Sequence, residues 1–176
     1  MSLGSLLEEA TGINSPHKYY GKYRGTVLMN EDPLNIGRIT AMVPDVSALM
    51  PTSWCMPCLP GAGIQYGVCV IPPMGAGVWI EFEQGDPDYP IWTGGFWGSA
   101  AEVPPFVRQR LPVSPGIVMQ TVGLNMIAIT DVPPQILIRA GASSIMVRAD
   151  GISITAPSIT MNGALLVNNG ALTVSL

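Results

Sequence analysis

Two groups of residues have the types and spacing to do chemistry. Cys55-Met56-Pro57-Cys58 has the C-x-x-C spacing of a redox pair or of half a zinc site. A redox pair opens a helix in a βαβ setting, whereas this one lies in a run rich in tryptophan and proline. A structural zinc needs four ligands, so Cys69 and the only histidine, His17, would have to complete the set. Read as free thiols, the cysteines are small apolar side chains, and neither a metal nor a cofactor is expected. Glu81 and Glu83 stand at strand spacing, and Asp86 and Asp88 follow. Paired carboxylates can hydrolyse glycosides, which keeps a small hydrolase as an alternative. The competing reading is a solvated strand face with its turn, and under it no residue is catalytic. Gly61-Ala62-Gly63 and Gly75-Ala76-Gly77 lack the Lys-Ser/Thr and the strand-to-helix setting of a phosphate loop.

The chain around these residues is poor in charge. Charged residues make up 11% of it and apolar residues 48%. That charged share is less than half the usual one of about 25%. Its apolar content argues against disorder despite 17 Pro and 20 Gly. The net charge of −4, with lysine only at Lys18 and Lys22, argues against a nucleic-acid surface. The longest uncharged run, Val46 to Ile80, is interrupted by Pro51, Pro57, Pro60, Pro72 and Pro73, which defeats a membrane-spanning helix. So apolar a small chain needs partners to cover its surface. The start, Met1-Ser2-Leu3-Gly4-Ser5, lacks the basic and apolar regions of a signal peptide. Synthesis in a bacterial cytoplasm is expected, where three cysteines do not form a disulfide framework.

Along residues 77–98, Val78, Ile80 and Phe82 alternate with Trp79, Glu81 and Glu83, the period of a strand with one buried face. Gly85-Asp86-Pro87-Asp88 supplies turn chemistry, and Ile91 and Trp92 begin the return. The expected strands cover 23–30, 36–43, 53–59, 77–83 and 90–97. A long loop over 61–75 is expected to hold a short strand near 68–71. Five short strands in so little chain suit a partly open Greek-key barrel of the OB type. Residues 2–11 place Leu3, Leu6 and Leu7 at helical spacing, a short helix with an apolar stripe. Residues 99–115, with prolines at 104, 105, 112 and 115, are expected to be a linker without regular structure.

From Gly116 onward the only charged side chains are Asp131, Arg139, Arg148 and Asp150. Ile145, Ile152, Ile159 and Leu166 recur at a fixed period, with Val147, Ile154 and Met161 beside them. Asp150-Gly151, Ala156-Pro157, Asn162-Gly163 and Asn169-Gly170 mark turns between them. The Ile152-Ser153-Ile154-Thr155 alternation and the Gly or Pro in each repeat exclude a heptad coiled coil. Stacked short strands in a β-helix or β-prism are expected. One thin repeat cannot enclose a core, but three chains wound together can. Ile145, Val147, Ile152, Ile154, Ile159, Met161 and Leu166 are therefore expected to form the core of a homotrimer.

The opening Gly21-Lys22-Tyr23-Arg24-Gly25-Thr26-Val27, the Asp32-Pro33-Leu34-Asn35-Ile36-Gly37-Arg38-Ile39 turn and strand, Pro44, Ser53-Trp54, residues 72–77 and the 78–98 run carry a resemblance in their order and spacing. Residues 21–98 resemble the OB-fold domain of the central spike proteins of contractile phage tails, the group of the baseplate assembly V proteins and the type VI secretion spikes. The resemblance implies an all-β chain, an OB-fold barrel over 21–98 followed by a trimeric intertwined β-helical needle over 116–176. It implies a non-enzymatic structural part of a virion tail baseplate that pierces an envelope when the sheath contracts. A spike of a bacterial type VI-like secretion system or tailocin is the alternative within the group. Some members bear a histidine-rich, iron-binding tip, and this chain has no histidine after His17. A baseplate hub protein is expected at Leu3, Leu6 and Leu7, and a separate tip protein at Leu172, Val174 and Leu176.

Overall fold

The computed structural model describes residues 17–109 and 116–163. The chain divides into one unit ending at Glu102 and another beginning at Val103.

The first unit is a small barrel. Its strands are β1 (Tyr23–Met29), β2 (Thr40–Met42), β3 (Met56–Pro57), β4 (Gly61–Gly63), β5 (Tyr66–Val68), β6 (Gly77–Phe82) and β7 (Pro90–Phe96). The main sheet runs β2-β1-β6-β7-β3, and all its pairs are antiparallel except β7 with β3. An antiparallel bridge between Ile39 and Cys55 joins the two outer strands just before each begins, and this closes the barrel. Both bridge amides donate, Cys55 N to Ile39 O at 2.8 Å and Ile39 N to Cys55 O at 3.3 Å.

The period-two pattern explains the core. Val78, Ile80 and Phe82 point inward with Val27, Ile39, Ala41, Val43, Cys55 and Trp92. The buried Trp92 indole donates to Gly37 O at 3.0 Å, which meets the requirement that a buried N–H find a partner. Tyr19 and Tyr23 tile the end of the core against Phe82, with ring centroids 5.9 and 5.6 Å away.

The structure shortens two of the expected strands. Residues 36–39 do not join β2, because Asp32 gathers their backbone into a turn. Its carboxylate accepts from Leu34 N and Ile36 N at 3.0 Å and from Arg38 N at 3.2 Å. It also accepts from Arg38 Nε at 3.0 Å and Nη2 at 2.6 Å. The Arg38 guanidinium beside Asp32, and then the turn amides, hold this carboxyl well below the usual carboxylate range against the opposing effect of its burial. The expected 53–59 strand is reduced to Met56–Pro57, where prolines 57 and 60 remove ladder donors. The expected loop over 61–75 holds a hairpin instead, β4 with β5, which forms a sheet of its own.

The second unit begins with a helical turn, α1 (Pro105–Arg108), inside the segment expected to lack regular structure. Pro105 at the first helical position explains it, since the ring's fixed φ suits a helix start and its missing N–H is no loss there. Five strands follow: β8 (Gly116–Gln120), β9 (Met126–Asp131), β10 (Pro134–Ala140), β11 (Ser143–Arg148) and β12 (Gly151–Thr155). They form one antiparallel meander in the order β12-β11-β10-β9-β8. Residues 132–133, 141–142 and 149–150 make the tight turns. One chain therefore supplies a single sheet, a wall rather than a closed coil, and regular pairing starts at Gly116, well before the repeat noticed in the sequence.

Candidate trimer interface

The two faces of the β8–β12 sheet differ in kind. On one face lie Val118, Met126, Ala128, Leu137 and Met146, and Phe106 from α1 packs against this cluster. Met126, Ala128 and Leu137 are buried within the single chain. Thr130 shares this face and is also buried, its hydroxyl donating to Pro133 O at 2.8 Å.

The other face presents two aliphatic side chains from every strand. Register places Ile117 beside Ile129 and Met119 beside Ile127. Ile129 then stands beside Ile136, and Ile127 beside Ile138. Ile136 meets Val147, and Ile138 meets Ile145. Ile145 meets Ile154, and Val147 meets Ile152. The result is two parallel rows of methyl-bearing side chains across the whole sheet. None is buried by its own chain, and exposure runs from 36% at Val147 to 70% at Ile152. No polar or charged residue interrupts the rows. Such a face has no chemistry to offer a small ligand. It gains free energy only by leaving water, on the order of 25 cal/mol per Å² of apolar surface covered. A contiguous apolar surface of this kind marks a protein contact.

Of the core residues expected from the sequence, Ile145, Val147, Ile152 and Ile154 lie on this face. Ile159 and Met161 are exposed beyond the last strand, outside any ladder. Leu166 lies outside the described residues, as do Leu3, Leu6, Leu7, Leu172, Val174 and Leu176. Sequence reading missed Ile117, Met119, Ile127, Ile129, Ile136 and Ile138. Their signal is the same I-x-I or I-x-M pair. A search for one fixed period passes over them because the spacing between pairs is not constant: it falls from ten residues to nine and then seven, following the lengths of the strands and of the first turn.

The groups that could have done chemistry do not converge, and Glu81, Asp86 and Cys55 are engaged by other partners. Glu81 is paired with Lys22 at 2.8 Å, and Lys22 also donates to Thr93 Oγ1 at 3.0 Å. Glu83 begins a 3₁₀ turn rather than extending β6 beside Glu81. Asp86 accepts from Asp88 N at 3.1 Å and pairs with Lys18 at 3.3 Å. The Asp88 amide, with Lys18 helping, holds Asp86 below the usual carboxylate range. Of the C-x-x-C pair, Cys55 is buried and Cys58 exposed, so the two do not converge. Burial pushes the Cys55 thiol up, and its sulfur lies 3.2 Å from Thr52 Oγ1. Among the described residues no group of three or more His, Cys, Asp or Glu is arranged to hold a metal. Among them, too, no helix is long and apolar enough to cross a membrane. Replacing Cys58 and Cys69 by Ser is expected to leave assembly and melting unchanged. Elemental analysis of the purified protein is expected to find no stoichiometric zinc, and one zinc per chain would restore the metal reading.

Residues 23–97 match the family model of the type VI secretion system/phage-baseplate injector OB domain. Residues 116–173 match that of the phage baseplate V C-terminal trimerisation domain. Comparison with curated proteins finds no match. The sheet with the aliphatic face thus falls inside a segment whose relatives trimerise.

Proposed function

We propose that this chain, which belongs to the phage baseplate V family of injector spike proteins, is the central spike of a contractile phage tail, driven through the host envelope when the sheath contracts. Family membership makes it a structural component of a phage or secretion-system tail baseplate, and its C-terminal domain supports a homotrimer. The piercing role, the phage setting and the absence of enzymatic activity are our reading.

The observation that carries it is the uninterrupted aliphatic face of β8–β12. Three such sheets, faces inward, make a three-sided prism with a dry axis. Ile145, Val147, Ile152 and Ile154 line that axis with the other row members. Ile159, Met161 and Leu166 extend it toward the C-terminus. A dry axis braced by sheet ladders is stiff along its length, which is what a part that transmits force requires. Glu81 and Asp86, by contrast, are engaged in surface ion pairs and a turn.

We assign the roles along the chain as follows. Residues 1–20 and the OB barrel over 21–98 face a baseplate hub, with Leu3, Leu6 and Leu7 as the docking stripe. Residues 99–115 link the barrel to a needle over 116–176. Leu172, Val174 and Leu176 receive a separate tip protein, because an apolar stretch repeated three times in a homotrimer gains by being covered.

The purified protein should scatter light as three chains of 18.6 kDa each. Deleting residues 170–176 is expected to abolish tip binding and spare the hub contact. Deleting residues 2–11 is expected to do the reverse. Release from the baseplate on the C-terminal deletion would show that the polarity is inverted. Immunogold labelling of the parent particle separates a phage tail from a bacterial injector.

A further inference from the structure

The OB unit carries two apolar features that its own chain keeps apart. The first is the β4–β5 arm. Its strands pair only with each other and with no strand of the barrel. Ile64 at the tip is 99% exposed, and Tyr66 and Val68 are exposed behind it. An isolated two-stranded hairpin is marginal in water. The second feature is a groove of about 590 Å³ walled by Val70, Pro72, Pro73, Phe96 and Trp97. Phe96 packs its ring edge against Gly77, where a Cβ would stand 2.8 Å from the ring. Trp97 stands 56% exposed at its edge. No residue of the arm lines this groove.

We propose that in the homotrimer the β4–β5 arm of each copy seats in the Phe96–Trp97 groove of the next, head to tail, so that the OB domains close a ring of their own. The inference rests on the homotrimer and on no other part of the proposed function. A protrusion and a recess of the same chemistry on one chain, neither filling the other, make a heterologous contact. Such a contact closes only when the number of copies is fixed, and the C-terminal domain fixes it. Tethering by that domain also raises the local concentration of each arm near its neighbour's groove.

Charge identifies the occupant as a second copy. No residue from Val46 to Ile80 is charged, and that run holds the whole arm and one wall of the groove. Two charged side chains stand at the groove, and both are engaged within their own chain: Glu102 accepts from Gly98 N at 2.9 Å and Ser99 Oγ at 3.2 Å, and the Arg24 guanidinium lies over the Phe96 ring, 4.9 Å from its centroid. A surface that must select a different protein from solution gains steering and discrimination from charge. Tethered identical copies need neither, and an uncharged face avoids like charges meeting around the symmetry axis.

The test uses the full-length protein. A benzophenone amino acid placed at position 64 is irradiated in the purified protein. Covalent dimers and trimers on a denaturing gel are expected, with the crosslink mapping to the peptide that holds Phe96 and Trp97. A second variant, Ile64→Arg, changes a tip that touches nothing in its own chain. It is expected to keep the three-chain mass and raise hydrogen exchange of amides 61–68 at least tenfold. Dissociation of that variant would equally place the tip between copies. Crosslinks confined to one chain, or unchanged exchange with the three-chain mass intact, would overturn the ring and leave the arm for a different protein. Neither result touches the trimer itself. A wild-type protein that scatters as one chain removes the homotrimer, and this inference with it.

Discussion

Ile138→Asp is expected to abolish the trimer. Ile138 stands in the middle of the aliphatic face, beside Ile127 on β9 and Ile145 on β11. In a three-sided prism one substitution brings three carboxylates to the axis, where no water and no cation meets them. An unpaired charge taken out of water costs several kcal/mol or more, and three near one axis also repel. The loss exceeds what marginal assemblies of this size can absorb. The control is Ser153→Asp on β12. Ser153 lies between Ile152 and Ile154, so period two turns its side chain to the opposite face, where it is exposed. The same carboxylate there is expected to leave the mass at three chains and the melting temperature within a degree or two. The sign of the pH effect distinguishes burial from simple misfolding. A carboxyl at a dry axis has its pKa raised, so the Ile138→Asp chains should regain association as the pH falls and the acid neutralises. A stable Ile138→Asp trimer at neutral pH would place the interface elsewhere.

Both the legible and the illegible parts of this fold have physical causes. The barrel was readable because its strands alternate strictly and its turns carry Asp, Pro and Gly where backbone geometry asks for them. Val78, Ile80 and Phe82 went inside for the reason their spacing gave. Residues 36–39 misled because their composition suits a strand, while the deciding interaction is one carboxylate that collects amides two, four and six residues ahead. A side chain acting over that range leaves no periodic trace. The β4–β5 hairpin was hidden because β4 is built from Gly-Ala-Gly, which shows no alternation. In the C-terminal domain the I-x-I pairs encode which face is apolar, but the distance between pairs follows strand length as well as turn length and becomes constant only from Ile145 onward. The fixed repeat was therefore visible only over residues 145–166, and the sheet over 116–140 was not. A single apolar face is also ambiguous in sequence. The same pairs could have formed the chain's own core, and only the register, with Met126, Ala128 and Leu137 buried on the other side, shows that they do not.

Asp32→Ala is expected to melt the barrel while the C-terminal sheet holds. The Asp32 carboxylate side chain is 3% exposed and accepts from three backbone amides and the Arg38 guanidinium in the 32–38 turn, while its backbone carbonyl accepts from Asn35 N at 2.9 Å. Alanine leaves three backbone amides and the Arg38 guanidinium, itself stacked over Trp54 with 5.1 Å to the ring centroid, without their acceptor. Unsatisfied donors in a closed turn are costly, and this turn leads into Ile39, the residue whose bridge to Cys55 closes the barrel. Because the two units are separate clusters of contacts, the variant should show two thermal transitions. The lower one, reported by the buried Trp92, should fall by at least about 5 °C in a domain of this size. The upper one, reported by trimer mass, should stay in place. Acid should mimic the mutation in the wild type. The folded-state pKa of Asp32 lies below the unfolded value of about 3.9, so its contribution is full at neutral pH. That contribution is lost as the pH falls below about 4 and the carboxylate is protonated. The wild-type lower transition should therefore drop steeply across that window, and the Asp32→Ala transition should drop less. Equal acid sensitivity in the two proteins would mean that some other carboxylate closes the barrel.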